Sequence, residues 1–107
     1  MPRFDIYANP NRAATHAFYV DVQSDSVRLA TRLCIPLYRH GPARALLQGA
    51  HTLVAVEQST GAASHYVLDT PNFLAVPAVL LRQKAGRLSS SEQLMAESCI
   101  DFLLRGY

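Results

Sequence analysis

The chain has 107 residues, which suffices for one domain with a modest hydrophobic core. Half of its residues are hydrophobic and 17% are charged, proportions that exclude a disordered chain, and its apolar runs are too short to span a membrane. The net charge of +2 is too small to predict nucleic-acid binding. Residues 1–5 lack the apolar segment of a secretory signal, so we expect a cytoplasmic protein.

The first two thirds of the sequence has the pattern of β-strands. Polar and apolar side chains alternate over residues 3–7. One face of the next strand carries its apolar residues, Phe18, Val20 and Val22. Asp21 lies on the other face. We interpret it as a solvent-side strand residue, in preference to one half of a catalytic carboxylate pair with Asp25.

Three further segments have strand patterns. Residues 33–37 form the first, and Pro36 predicts a sheet edge or a strand end there, because proline cannot donate a hydrogen bond to the ladder. Residues 53–56 and 65–68 flank a turn that contains Gly61, which predicts a β-hairpin.

Other segments predict turns and one more strand. Residues 43–48 are expected to form a short helical turn, and residues 69–72 form a turn cluster. The β-branched and leucine-rich residues 76–81 predict another strand. No repeat or linker composition interrupts the sequence, so we expect a single domain over residues 1–107.

Residues 89–104 have the strong helix pattern of this chain. Ser89 and Glu92 have the spacing of a capping box at its start. At about 100° per residue, one face collects the residues that are expected to contact the core, namely Met95, Ala96, Cys99, Phe102 and Leu103. Leu104 falls on the opposite, acidic face, where we expect it to be exposed.

No arrangement of reactive side chains predicts catalysis. The histidines lack the spacing of metal ligands: His16, His40, His51 and His65. Cys34 and Cys99 lie in apolar contexts and are expected to be buried and reduced. Four arginines are expected on the solvated surface: Arg28, Arg32, Arg39 and Arg44. We therefore expect no metal, no cofactor, no direct contact with nucleic acid and no enzyme activity.

Three segments of the sequence resemble a known family. The string V-D-V-Q-S-D occupies residues 20–25, I-P-L follows at residues 35–37, and the terminal helix leads to Gly106. In this order and in a chain of this length, they resemble the CcdB family, toxins of bacterial toxin–antitoxin pairs that poison DNA gyrase. The resemblance implies a mainly β fold, in which a small, strongly bent antiparallel sheet, similar to an SH3-like barrel, is closed by a C-terminal helix.

The resemblance also implies a site and a set of partners. CcdB-like proteins bind the gyrase A subunit through the outward side of the terminal helix, the last three residues and the loop after the V-D-V-Q-S-D strand. In this chain those positions are Ser26, Val27, Asp101, Leu104, Arg105, Gly106 and Tyr107. A homodimer is implied, with Leu103 and Gly106 in its interface. A small CcdA-like antitoxin, whose disordered C-terminal segment folds on the dimer, is the second implied partner.

The chain departs from the family at its end. The family tripeptide is Trp-Gly-Ile, of which this chain keeps Gly106, and Arg105 replaces the tryptophan that stacks on a gyrase arginine. A family relative that has lost toxicity is therefore one alternative. A MazF-like endoribonuclease toxin is another, because MazF-like toxins share the barrel and fold alone does not fix function.

Overall fold

A computed structural model describes residues 2–27, 29–41, 46–57 and 60–106 of the chain. These residues form seven strands and one helix: β1 (Asp5–Ala8), β2 (His16–Asp21), β3 (Thr31–Arg39), β4 (His51–Glu57), β5 (Ala63–Asp69), β6 (Leu74–Pro77), β7 (Lys84–Arg87) and α1 (Ser90–Arg105). Short 3-10 turns at Thr70–Asn72 and Ala78–Leu80 flank β6. The prediction of a mainly β protein with one C-terminal helix is confirmed.

The strands form one antiparallel sheet in the order β4-β5-β3-β2-β1-β7, and β6 pairs with β3 beside this path. β3 is the longest strand, with nine residues. It is also central, because it pairs with β2 on one side and with both β6 and β5 on the other. The sheet curls into a half-barrel. The strongly bent sheet that the family resemblance implied is confirmed.

Pro36 lies inside this central strand, so the expectation of a sheet edge or a strand end was wrong. Its partner on β2 is Tyr19. On the opposite side, β3 pairs with β6 as far as Cys34 and with β5 from Leu37 onward. Pro36 therefore occupies the place where the ladder changes partner, which a proline can tolerate in the interior of a sheet.

Each face of the sheet carries a hydrophobic cluster. The larger cluster contains the predicted face of β2, with Val20 and Val22 buried and Phe18 packed against them, and it reaches Ala96 and Ile100 of α1. The smaller cluster lies on the other face and contains buried and half-buried side chains from four strands and the turn after β6: Tyr7, Tyr19, Cys34, Leu74, Val76 and Leu81. The helix thus covers one face while short loops cover the second.

The predicted capping box at the start of α1 is present. Glu92 N donates to Ser89 Oγ at 3.2 Å, and Glu92 Oε1 accepts from Ser89 N at 2.9 Å. Glu92 Oε2 also accepts from the backbone N–H of Ala55, at 2.9 Å, in the outermost strand β4. One carboxylate therefore both begins the helix and fixes it to the sheet.

The face that α1 buries differs in part from the predicted one. Ala96 and Cys99 are buried as expected, and Ile100 is half-buried against the core. Met95 is 50% exposed, so its predicted core contact was wrong, and Phe102 is also exposed at 37%. At about 100° per residue, Ile100 lies on the side of Ala96 away from Met95, so the buried face is rotated toward Ile100.

The predicted hairpin is confirmed by the pairing of β4 with β5. Leu53 lies opposite Val67, and Gly61 has a φ of 87°, a conformation that favours glycine. The turn cluster at residues 69–72 is confirmed as the 3-10 turn Thr70–Asn72.

Two expectations between the strands need correction, and one strand was not predicted. The strand predicted over residues 76–81 is correct for residues 76–77, which belong to β6, and wrong for residues 78–81, because a 3-10 turn follows Pro77. Residues 43–45 of the predicted helical turn lie outside the described residues, while residues 46–48 are not helical and Gln48 forms an isolated bridge with His51. β7, which pairs with β1, had no signal in the sequence K-A-G-R.

Candidate functional site

The end of α1 presents the residues that the family resemblance placed in contact with a target. Leu104 is 70% exposed, as predicted, and Asp101 and Arg105 are exposed beside it. Gly106 ends the helix with a φ of 83°, and its N–H donates to the Phe102 carbonyl at 2.8 Å. Arg105 lies in the last turn, where a cation interacts favourably with the helix dipole.

The loop between β2 and β3 holds the second group of predicted contact residues. Ser26 is exposed and Val27 is 43% exposed. Two hydrogen bonds shape this turn. In the backbone, Val27 N donates to the Ser24 carbonyl at 3.0 Å. From a side chain, Gln23 Nε2 donates to the Val27 carbonyl at 3.2 Å. The loop therefore displays an apolar side chain on an ordered backbone.

A buried ion pair lies beneath this loop, and it corrects two expectations. Asp21 is fully buried, and Arg32 is only 6% exposed, although both were expected to face solvent. Arg32 Nε donates to Asp21 Oδ2 at 2.8 Å. Alternation along β2 places Asp21 on the face that carries the smaller cluster, where Cys34 is its partner on β3. A charge there must be paired because desolvation of a lone charge is costly.

Arg3 connects the loop to the helix. Its backbone N–H donates to Asp25 Oδ1 at 2.7 Å and its Nε donates to the Val22 carbonyl at 2.9 Å. Its guanidinium also lies 3.5 Å from Glu97 of α1 and over the ring of Phe4. Phe4 is buried with a φ of 75°, an unusual conformation for a bulky side chain.

An apolar groove of about 380 Å³ runs between α1 and the sheet. Leu103 and Leu104 line it from the helix and Val22 lines it from the base of the loop. The remaining lining residues come from the N-terminal segment, β3, the turn before β6 and α1: Arg3, Leu33, Ile35, Thr70, Phe73 and Ile100. Leu33 and Phe73 are 38% and 46% exposed, which makes the rim of the groove unusually apolar for a surface.

Of the predicted contact and interface residues, Leu103 and Leu104 line the groove, whereas Ser26, Val27, Asp101, Arg105 and Gly106 are not among its lining residues. Leu103 and Leu104 share one groove with the base of the loop, and Arg3 is the link to Asp25 within the loop. Tyr107 lies outside the described residues. Sequence reasoning missed Arg3 and Phe73, since neither belongs to a motif and both reach the groove only through tertiary packing.

Two of the histidines, His16 and His51, have side-chain partners. His16 Nε2 bonds to the Tyr19 hydroxyl at 2.9 Å, and burial lowers the pKa of His16. His51 accepts from Leu47 N at Nδ1 and bonds to Asp69 at 2.9 Å through Nε2. Among the described residues, His, Cys, Asp and Glu form no group of three that could hold a metal ion.

Both cysteines are buried and free, as expected. Burial raises the pKa of the Cys34 thiol to about 12, and the neighbouring Asp21 carboxylate adds to the shift. Burial also raises the pKa of Cys99, which an interaction with the Thr70 hydroxyl partly offsets. In the part of the chain that is described, no helix is long and apolar enough to cross a membrane.

Comparison with known proteins identifies the family. A model of the CcdB protein family matches residues 3–106, nearly the whole chain. No curated protein matches the chain closely enough to count as a relative. Because the match spans far more than half of the sequence, the chain belongs to the CcdB family, and this membership places it among the toxins of toxin–antitoxin systems.

Proposed function

We propose that this member of the CcdB family inhibits DNA gyrase by binding its A subunit and trapping the cleaved DNA complex. The observation that supports this proposal is the exposed Leu104 at the end of α1, on an apolar groove that Val22, directly after β2, also lines. An isolated exposed leucine is common on protein surfaces, but one that borders a 380 Å³ apolar groove marks an interaction site.

The contact surface in this proposal consists of Ser26, Val27, Asp101, Leu104, Arg105, Gly106 and Tyr107. Apolar contact comes from Leu104 and Val27, which are both exposed. Arg105 adds a positive charge at the helix end, so a target with an acidic or planar group opposite it is favoured. Gly106 ends the helix and lets the chain leave it at an angle that a side chain would disfavour.

The proposal includes a homodimer, with Leu103 and Gly106 in the interface. A chain of 107 residues has a limited core, so association with a second copy would bury further apolar surface. Sedimentation at micromolar concentration should give about twice the mass of 11.8 kDa. A monomer at that concentration would contradict this part of the proposal.

The second partner in the proposal is a small antitoxin with a disordered C-terminal segment that folds on the toxin. A toxin of this kind acts in the cytoplasm, where gyrase is found. Growth arrest by the expressed protein, and its relief by a short neighbouring gene with an acidic C-terminal half, would test this pairing. A protein that arrests no growth would favour a relative that has lost toxicity.

Arg32 is unsuited to a catalytic role in the ribonuclease alternative. A ribonuclease needs an arginine that can reach the RNA phosphate, whereas Arg32 is held in the buried ion pair with Asp21. Arg28 lies outside the described residues, and His40 is exposed. Incubation of the protein with single-stranded RNA should leave the RNA intact, and specific cleavage would favour the alternative.

Direct binding to the isolated gyrase A subunit tests the proposed function. Calorimetry should detect binding by the wild-type protein and much weaker binding by Val27→Asp, because a carboxylate would enter an apolar contact. Val79→Asp is a suitable control, since Val79 is 66% exposed in a different turn. Wild-type protein that does not bind the A subunit would contradict the proposal.

A further inference from the structure

We infer that Arg32 is a positioning residue that holds the Ser26–Val27 loop in the conformation that contacts the target. This inference rests on the proposed function, because the contact between the loop and gyrase is part of that proposal. Arg32 does not contact the target itself but acts through the loop backbone.

The guanidinium of Arg32 connects three parts of the chain. Its Nε donates to the buried Asp21 carboxylate at 2.8 Å. Its Nη1 donates to the Val27 carbonyl at 3.3 Å and its Nη2 donates to the Gln23 carbonyl at 3.4 Å. The two carbonyls lie at the two ends of the turn, so one rigid fork fixes both ends relative to β2.

The partners of Arg32 reinforce the same turn. Asp21 Oδ1 accepts from Gln23 N at 3.1 Å. The Gln23 side chain donates to the Val27 carbonyl and accepts from Leu33 N at 2.9 Å. Every one of these bonds ends on the backbone of the loop or of the strand that follows it, whereas the side chains of Ser26 and Val27 stay exposed. The network therefore orders a surface without occupying it.

The planar guanidinium is what this role requires. Its donors point in fixed and divergent directions, so it can serve a carboxylate and two carbonyls at once. A lysine ammonium would keep the charge that Asp21 needs, but it cannot span both ends of the loop. Arg32→Lys thus separates the neutralisation of Asp21 from the ordering of the turn.

The experiment measures two properties of Arg32→Lys beside the wild type. Affinity for the gyrase A subunit should fall at least about tenfold, a loss typical of hydrogen bonds to a charged group. Amide hydrogen exchange at Val27 should speed up by a similar factor, while exchange at Val67 in β5 should change little. Equal acceleration at both amides would indicate general destabilisation and would overturn the inference.

A double-mutant cycle with Val27→Asp gives the second test. If Arg32 acts through the loop, Arg32→Lys should cause no further loss of affinity once Val27→Asp has removed the loop contact. Additive losses would overturn the inference. Arg82→Lys serves as a control, because Arg82 Nε donates to the Val79 carbonyl in another turn and its replacement should leave affinity unchanged.

A second variant, Gln23→Ala, tests the same network if Arg32→Lys does not fold. Gln23→Ala removes the side-chain bonds to Val27 and Leu33 without exposing a buried charge, and it should reproduce both effects. Wild-type affinity and wild-type exchange in Gln23→Ala and Arg32→Lys would overturn the inference and leave the proposed function standing. Wild-type protein that fails to bind the A subunit would instead contradict the proposed function, and the inference with it.

Discussion

The ring of Phe102 lies against Gly49, where a β-carbon on the glycine would approach Phe102 Cδ2 to 3.1 Å. Gly49 has a φ of 91° and precedes β4, so the contact joins the last turns of α1 to the sheet. The carbonyl of Phe102 also accepts the N–H of Gly106. Gly49 therefore supports the helix end that carries Leu104.

The first prediction concerns this contact. Gly49→Ala should lower the free energy of unfolding by about 2–4 kcal/mol, because the new methyl group adds a clash with the ring to the backbone cost of a positive φ. Gly61→Ala is the matched control, since Gly61 has a φ of 87° but nothing within 4 Å of its β-carbon position. Its loss should be about 1 kcal/mol.

Urea denaturation of both variants measures the difference. Phe102→Leu in the Gly49→Ala background should recover part of the lost stability, because the smaller side chain relieves the clash. Equal losses for Gly49→Ala and Gly61→Ala would show that the ring contact contributes nothing.

The second prediction concerns the thiols. Cys34 should not react with a thiol reagent at pH 8 in the folded protein, because burial raises its pKa to about 12 and leaves almost no thiolate. Cys99 is also buried and should behave in the same way. Labelling followed by mass spectrometry should find no modified cysteine before denaturation and two afterwards. Rapid labelling of either cysteine in the folded state would contradict the described packing.

The third prediction concerns pH. Burial lowers the pKa of His16 from its ordinary value of 6.5, so the unfolded chain takes up a proton at a higher pH than the folded one. This contribution to stability is full above pH 6.5 and is lost as the pH falls through the lower, folded value. His16→Phe keeps a ring against Tyr19 and Tyr38 and should have a flatter stability profile on the acid side of neutrality.

Unfolding by urea at a series of pH values measures the two profiles. His65→Asn, a change at an exposed position on β5, should keep the wild-type profile. A His16→Phe profile that follows the wild type would show that another group causes the acid dependence.

Features with a local sequence signal were predicted well. The capping box of Ser89 and Glu92 depends on residues three positions apart, and the hairpin around Gly61 depends on one short turn. The apolar face of β2 follows from alternation alone. These elements are determined by near neighbours in the chain.

Features that arise from long-range packing were missed. Pro36 is tolerated in a central strand because β3 changes partner beside it, and no local pattern encodes that change. Asp21 and Arg32 were placed on the surface because charged side chains usually lie there, yet they pair across 11 positions. Arg3 joins the site through a contact with Asp25, 22 residues away, which alternation cannot predict.

The fourth prediction concerns Arg105 and the range of targets. Against a gyrase that places an arginine opposite the family tryptophan, two like charges about 4 Å apart would cost about 4 kcal/mol at an effective dielectric constant near 20, before screening by salt. Arg105→Trp removes this repulsion and restores a ring that can stack on the arginine. Its affinity for such a gyrase should rise at least about tenfold over the wild type.

Calorimetry with that gyrase's A subunit measures the gain. Arg82→Trp controls for the general effect of adding an aromatic ring to an exposed position. A chain that lacks residues 105–107 should not bind. If the shortened chain binds as well as the wild type, the end of the chain is not part of the contact.

We propose that the end of α1 is the surface that poisons gyrase. The most direct measurement is gyrase-mediated DNA cleavage, with gyrase from the genome that encodes this protein. Leu104→Asp and Leu94→Asp form a matched pair, because Leu104 is 70% exposed and Leu94 is 67% exposed on the same helix. Wild type and Leu94→Asp should accumulate cleaved DNA equally, while Leu104→Asp should lose at least nine tenths of it, since a carboxylate would replace the apolar contact. Equal cleavage by both variants, or none by the wild type, would contradict the claim.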